Sequence, residues 1–249
     1  TTGAFNTHLG GTAGAVATTE ISNTYVGYAS GSSAFGGFNV AIGQSSLQGD
    51  SFTDDTQAGT IASGQTTVTM DGANTAIIAG LGVSGAGITP GSYVASVASA
   101  AANPQVFVLN ANVASTISGG TTLTFYSRAT LNVAVGMNAG LNALSCDYNT
   151  FVGANAAGLG AVTGDSNVCV GSYAGYDLTS GASNVLIGRN AGYNATTALY
   201  NVIIGNSACG SGVLANATGD EGKYNVVVGN AAGYDLTTGQ SNILLGESA

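Results

Sequence analysis

A five-residue phrase recurs ten times along this chain: asparagine, then valine, isoleucine or threonine, a variable residue, an aliphatic residue and glycine. Copies start at Asn6, Asn23, Asn39, Asn132, Asn149, Asn167, Asn184, Asn201, Asn225 and Asn242. Successive starts lie 17, 16, 93, 17, 18, 17, 17, 24 and 17 residues apart. A short fixed period specifies a solenoid or fibre whose units bury their apolar faces only against their neighbours. The gaps of 93 and 24 are then insertions into one coil.

Such a coil is thin. Seventeen residues trace a circuit of at most about 56 Å at ~3.3 Å per residue, so each turn encloses little core. With the asparagine as position one, position four is aliphatic in every copy, and position two is Val, Ile or Thr. Residues two apart share one face of a strand, so these two positions are expected to line the interior. Position three points the opposite way and is apolar or aromatic in nine copies, His8 being the exception. A strand apolar on both faces is covered on both, so Phe151, Cys169, Leu186, Ile203, Val227 and Leu244 are expected to pack between chains. The asparagines, Asn132, Asn149, Asn167, Asn184, Asn201, Asn225 and Asn242 among them, read as a stacked ladder with each side-chain amide bonded to an adjacent coil. The position-five glycine and the following Ala-Gly (Ala139-Gly140, Ala174-Gly175, Ala191-Gly192) fall where the chain must turn.

The expected fold is therefore all-β, a parallel β-solenoid of about 17-residue coils. Residues 1–49 and 129–249 carry the repeats, and 50–128 form an inserted unit. Within that unit, strand candidates at Gln65–Met70, Ala76–Val83, Tyr93–Val97, Gln105–Leu109 and Thr121–Tyr126 alternate with turn signals such as Asp71-Gly72 and Thr89-Pro90-Gly91. That spacing predicts a compact antiparallel sandwich or barrel. Both of its ends return to one coil, so it is expected to project sideways. The 24-residue spacing predicts a surface loop around Ser211 to Gly222.

Composition excludes several functions. Three basic residues against twelve acidic ones give a net charge of −9, which argues against nucleic acid as a partner because phosphate binding needs clustered Lys and Arg. No run approaches the ~20 apolar residues of a membrane helix, so no membrane insertion is expected. Cys146, Cys169 and Cys209 fall at three different repeat positions and read as small buried hydrophobes rather than a disulfide framework. His8 is the only histidine, so no metal site or Ser-His-Asp constellation is expected, and no cofactor. Asp54-Asp55 and Asp220-Glu221 are adjacent pairs, whereas glycosidase carboxylates face each other across ~5–10 Å. The chain reads as non-catalytic. Tyr176, Tyr193 and Tyr234 share position ten, and Asp177, Asn194 and Asp235 position eleven. A sugar-binding aromatic row or a calcium-binding carboxylate row could be built this way, but the pattern reads first as a packed corner followed by an Asx-type turn. The chain starts without methionine and stops inside a repeat, as expected of a segment of something longer.

Phrases such as Asn184-Val-Leu-Ile-Gly-Arg-Asn-Ala-Gly192 and Asn225-Val-Val-Val-Gly-Asn-Ala-Ala-Gly233 resemble the repeats of phage tail-fibre and tailspike proteins. They are less closely similar to head repeats of trimeric autotransporter adhesins. The stretch from Gly82 to Val94, closing with Thr121 to Phe125, resembles a small β domain found within phage structural proteins. These resemblances imply a homotrimer of narrow β coils in a virion tail fibre, partnered by other tail proteins and by a bacterial surface receptor or glycan. The adhesin alternative implies a bacterial cell-surface head, and a glycan-binding module is a further alternative. Three unpaired cysteines favour the phage reading, because virions assemble in a reducing cytoplasm.

Overall fold

A computed structural model describes the chain apart from residues 1–2, 16–20, 33–35, 49–50, 56–60, 71, 73–76, 78, 80, 91, 99–104, 127 and 215–221; for 51–55 and 126 it describes the backbone alone. The chain divides into two compact units, Thr1–Gly49 with Ala129–Ala249, and Asp50–Arg128.

In the first unit every copy of the phrase forms one three-residue strand: β1 (Thr7–Leu9), β2 (Thr24–Val26), β3 (Val40–Ile42), β10 (Val133–Val135), β11 (Thr150–Val152), β12 (Val168–Val170), β13 (Val185–Ile187), β14 (Val202–Ile204), β15 (Val226–Val228) and β16 (Ile243–Leu245). They stack as a single ten-stranded parallel sheet in chain order. Register is kept residue for residue, and β3 pairs directly with β10 across the 93-residue gap, Val40 opposite Val133. The all-β coil with a period near 17 is the architecture the repeat specifies.

The two faces of the strands are the reverse of the sequence expectation. Position three is the inward one: Tyr25, Ala41, Ala134, Phe151, Cys169, Leu186, Ile203 and Val227 are fully buried within one chain, and Leu244 packs against the same core. These side chains are the coil's own interior, so assigning Phe151, Cys169, Leu186, Ile203, Val227 and Leu244 to inter-chain packing is corrected. Positions two and four are half-buried or exposed in every coil. The physical reason is the narrowness of the circuit, which admits one side chain per strand and not two. Alanines at position eight (Ala139, Ala174, Ala191, Ala208, Ala232) complete the core with Leu178, Ala195 and Leu214.

Two glycine files make this packing fit. A Cβ on Gly153 would lie 2.5 Å from the carbonyl oxygen of Gly171 in the next coil, and its φ is 136°, so position five is a point of close backbone approach open to glycine alone. At position nine, Gly140 faces the Phe151 ring, where a Cβ would come within 2.7 Å, and Gly175 faces Cys169 and Leu186. The Ala-Gly pair therefore does more than turn the chain: it makes room for the large inward residue.

The asparagine file supplies the polar core. The Asn184 N–H donates to Oδ1 of Asn167 at 3.1 Å, and its Nδ2 donates to the same oxygen at 3.0 Å. Its Nδ2 also donates to the Ala198 carbonyl at 2.7 Å, at the end of its own coil. Asn201 repeats the pattern one coil later, onto Asn184 Oδ1 and Gly222 O. Each amide thus links two coils and closes one, and nine successive asparagine N–H groups donate to the preceding Oδ1, from Asn23 to Asn242. Buried amides are stable here because their hydrogen bonds are made.

The second unit holds two three-stranded antiparallel sheets. One has the order β4 (Ser51–Asp55), β9 (Thr122–Tyr126), β6 (Gly82–Ser84); the other β5 (Thr67–Thr69), β8 (Val106–Leu109), β7 (Val94–Val97), with a register shift between Val94 and Ser96. Phe107 of β8 and Phe125 of β9 meet edge-to-face at 5.5 Å, joining the sheets through a core that includes Val68, Met70, Leu123 and Ile117. Strand β4 was absent from the sequence expectation.

Candidate functional site

The outer face of the parallel sheet is an uncovered apolar surface that runs through all ten strands. Seventeen of the twenty residues at positions two and four are Val, Ile or Leu, the others Thr, and none is charged. Within β13, Leu186 is 0% exposed while Ile187 beside it is 36% exposed. Val133, Val226, Val228, Ile42, Ile243 and Leu245 are likewise exposed. A soluble monomer rarely leaves so long an apolar file open.

Just before each strand the chain passes through a left-handed residue, whatever its type: φ is 61° at Tyr148, 59° at Tyr200 and 57° at Tyr224. A non-glycine residue there costs about 1 kcal/mol, yet bulky side chains recur. Tyr148 is 63% exposed, and the Tyr200 and Tyr224 rings stack at 5.3 Å. These aromatics edge the strands that carry the open face.

A second aromatic group sits at the opposite end of the phrase. The Tyr176 and Tyr193 rings lie 4.9 Å apart, and Tyr173 meets Tyr176 edge-on at 5.2 Å. Asp177 stands beside them with Oδ1 enclosed and accepting no hydrogen bond. Burial holds its carboxyl above the ordinary carboxylate range. Burial also raises the Tyr193 hydroxyl, with the Asp177 charge adding to it.

Other residues singled out from sequence fall into structural roles. His8 stacks on Tyr25 at 5.2 Å with the planes 17° apart. Cys146, Cys169 and Cys209 are buried and free; burial pushes the Cys169 and Cys209 thiols up to about 12 and raises Cys146 further, which makes them poor nucleophiles. Asp220 and Glu221, and most of the expected loop, lie outside the described residues. Asp54 and Asp55 are in β4, whose side chains are likewise not described. Among the described residues no group of three or more His, Cys, Asp or Glu could hold a metal ion, and no helix is long and apolar enough to cross a membrane. In the second unit, the Arg128 guanidinium lies 4.4 Å from the centre of the Tyr93 ring, a cation–π contact.

Sequence reasoning missed that positions two and four form the open face. The only trace in the sequence is one of residue type: the inward position ranges from Ala to Tyr, whereas the outward positions stay β-branched or aliphatic.

No protein-family model matches the chain, and no curated protein matches it. Among solved structures it is similar to the tailspike protein gp49 from Pseudomonas phage LKA1, over 92% of this chain and 33% of that one, at 10% identity and a TM-score of 0.22. The chain spans about a third of that protein's length. A likeness this faint carries no functional argument.

Proposed function

We propose that this chain is a structural, non-catalytic shaft segment of a fibre, assembled from several identical copies through the outer face of the parallel sheet. It would carry its inserted β unit and the loop near Ser211–Gly222 toward a bacterial surface. The observation that supports this best is the uncharged Val/Ile file at positions two and four. Covering it would bury roughly 700 Å² per copy if each aliphatic side chain loses about 40 Å², close to the ~800 Å² per partner of stable interfaces. Its rungs repeat at ~4.8 Å, and a second copy of the same coil is the occupant that matches that spacing along the whole length. Three copies around one axis is the number implied by the likeness of the repeats to tail fibres. A virion is the location that likeness implies, with other tail proteins and a receptor as partners.

Sedimentation equilibrium tests the assembly. The intact chain should run at a multiple of its 24.1 kDa mass, three being the expected number, and Val185→Glu with Ile187→Glu should reduce it to one copy that keeps its strand signal. A soluble wild-type monomer defeats the reading. Non-catalysis is tested by incubating the chain with purified bacterial capsule: hydrolysis lost in Asp54→Ala or Asp220→Ala would contradict it.

A further inference from the structure

Position ten of the repeat is an interrupted aromatic file. Tyr176 and Tyr193 fill it in successive coils, with Tyr173 tilted against Tyr193 at 6.3 Å. In the next coil the position is Gly210, and in the one after that Tyr234, which is 47% exposed. Backbone bonds hold the register through this corner: the Asp177 N–H donates to Tyr193 O at 2.9 Å, and the Ser211 N–H to Tyr234 O at 3.0 Å. Between them, Asn194 Nδ2 donates to Ser211 O at 2.9 Å. Residues 176, 193, 210 and 234 therefore stand in one file.

Two rungs separate Tyr193 from Tyr234, about 9.6 Å at ~4.8 Å per rung. Gly210 puts no side chain into that interval. Each carbon–carbon contact takes ~3.5–4 Å, so the gap has room for one puckered saturated ring in contact with an aromatic residue on either side.

Alongside runs the position-eleven file, Asp177, Asn194, Ser211 and Asp235. It offers carboxylate, amide and hydroxyl groups to a ligand's hydroxyls, and it contains no cation. Aromatic faces with apolar C–H groups between them and acceptors at the rim suit a neutral sugar and disfavour a sulfated or acidic one.

We propose that Tyr193 and Tyr234 clasp one ring of a neutral oligosaccharide over Gly210, that Tyr173 and Tyr176 extend the platform by one coil, and that Asn194, Ser211 and Asp235 bind the ring hydroxyls. The proposal deepens the surface-attachment reading above and rests on it for biological setting, not for geometry. No bond is made or broken at this site.

The test is calorimetric titration of the full chain with maltohexaose, chitohexaose and a neutral hexose-containing bacterial oligosaccharide, with tetramethylammonium as the probe for a cation-binding alternative. At least one oligosaccharide should bind, and Tyr193→Ala and Tyr234→Ala should each weaken it at least tenfold. Tyr193→Phe, which keeps the ring, should stay within about threefold. Circular dichroism and sedimentation of each variant establish that the coil and its assembly persist, so a loss of sugar is not a loss of fold. Absence of binding to all three sugars, indifference to both alanine variants, or tetramethylammonium binding in their place would each overturn the proposal. Sugar binding retained by a chain shown to be monomeric would sink the shaft reading and leave this one standing.

Discussion

The two units solve the same problem, a small β core, with opposite chemistry. The insert joins two antiparallel sheets through an aromatic contact, Phe107 against Phe125, between the consecutive strands β8 and β9. Among the described residues the coil's strands form one sheet, with isolated parallel bridges elsewhere in the turn such as Ala182 with Leu199 and Leu199 with Lys223. The coil's interior is the inward residue of each strand, alanines and a few larger groups such as Leu47, Val162, Leu178 and Leu214, and its cohesion comes from the asparagine file and from backbone bonds such as Val168 N–H to Asn184 O at 2.8 Å. Hydrophobic burial dominates one unit; satisfied buried amides repeated at a fixed period hold the other. A core too thin for apolar packing can still be specified if every rung repeats the same polar contact in register.

Breaking one unit should spare the other. The largest effect is expected for Asn184→Ala, which removes four side-chain hydrogen bonds, onto Asn167 and Ala198 and from Asn201, and strands buried groups in two adjacent coils. Its expected cost is about 4 to 6 kcal/mol. Denaturant unfolding should show the coil transition moving while a Tyr93 fluorescence or NMR signal of the insert stays in place. Phe107→Ala should do the converse, at about 3 to 5 kcal/mol, with strand signals of the repeats unchanged. If either variant unfolds both units together, the division into independently held cores is wrong.

The smallest effect sharpens the comparison within the coil itself. Burial raises the Asp177 carboxyl from its ordinary value of 3.8, so the folded chain binds that proton more readily than the unfolded chain. The ionised carboxylate therefore works against folding above the raised value, and this penalty disappears as pH falls below the ordinary one. Asp177→Asn should raise the melting temperature by about 1 °C at pH 7, a modest amount because the group is partly solvated, and should change nothing at pH 3. A melting point that falls at pH 7 would mean the carboxylate has an unseen structural partner.

Much of this molecule could be read from its residues. The period gave the parallel coil, the location of the insertion, and the asparagines as the linking element, because a repeated polar residue beside an aliphatic alternation has few other uses. The insert's strands at Val106–Leu109 and Thr122–Tyr126 were visible as β-branched and aromatic runs. Ser51–Asp55 was not, since Ser-Phe-Thr-Asp-Asp has neither alternation nor an apolar run. Which face of each strand points inward was also misjudged. Val185-Leu186-Ile187 is apolar on both sides, and strand periodicity has no means of choosing between them. The choice is made by Gly175 and Gly192, whose missing side chains leave space for Leu186. The proposed sugar site turns on Gly210, which interrupts a row that the three tyrosines alone make look continuous.

Inside against outside can be tested by oxidative cross-linking of single cysteines, because the native thiols are enclosed and unreactive. Ile187→Cys should form covalent links between copies under mild oxidant, readable as a doubled mass on a denaturing gel. Leu186→Cys, one residue away but buried in its own coil, should not. Cross-linking at 186 with none at 187 would contradict the account and return the apolar contact between chains to position three.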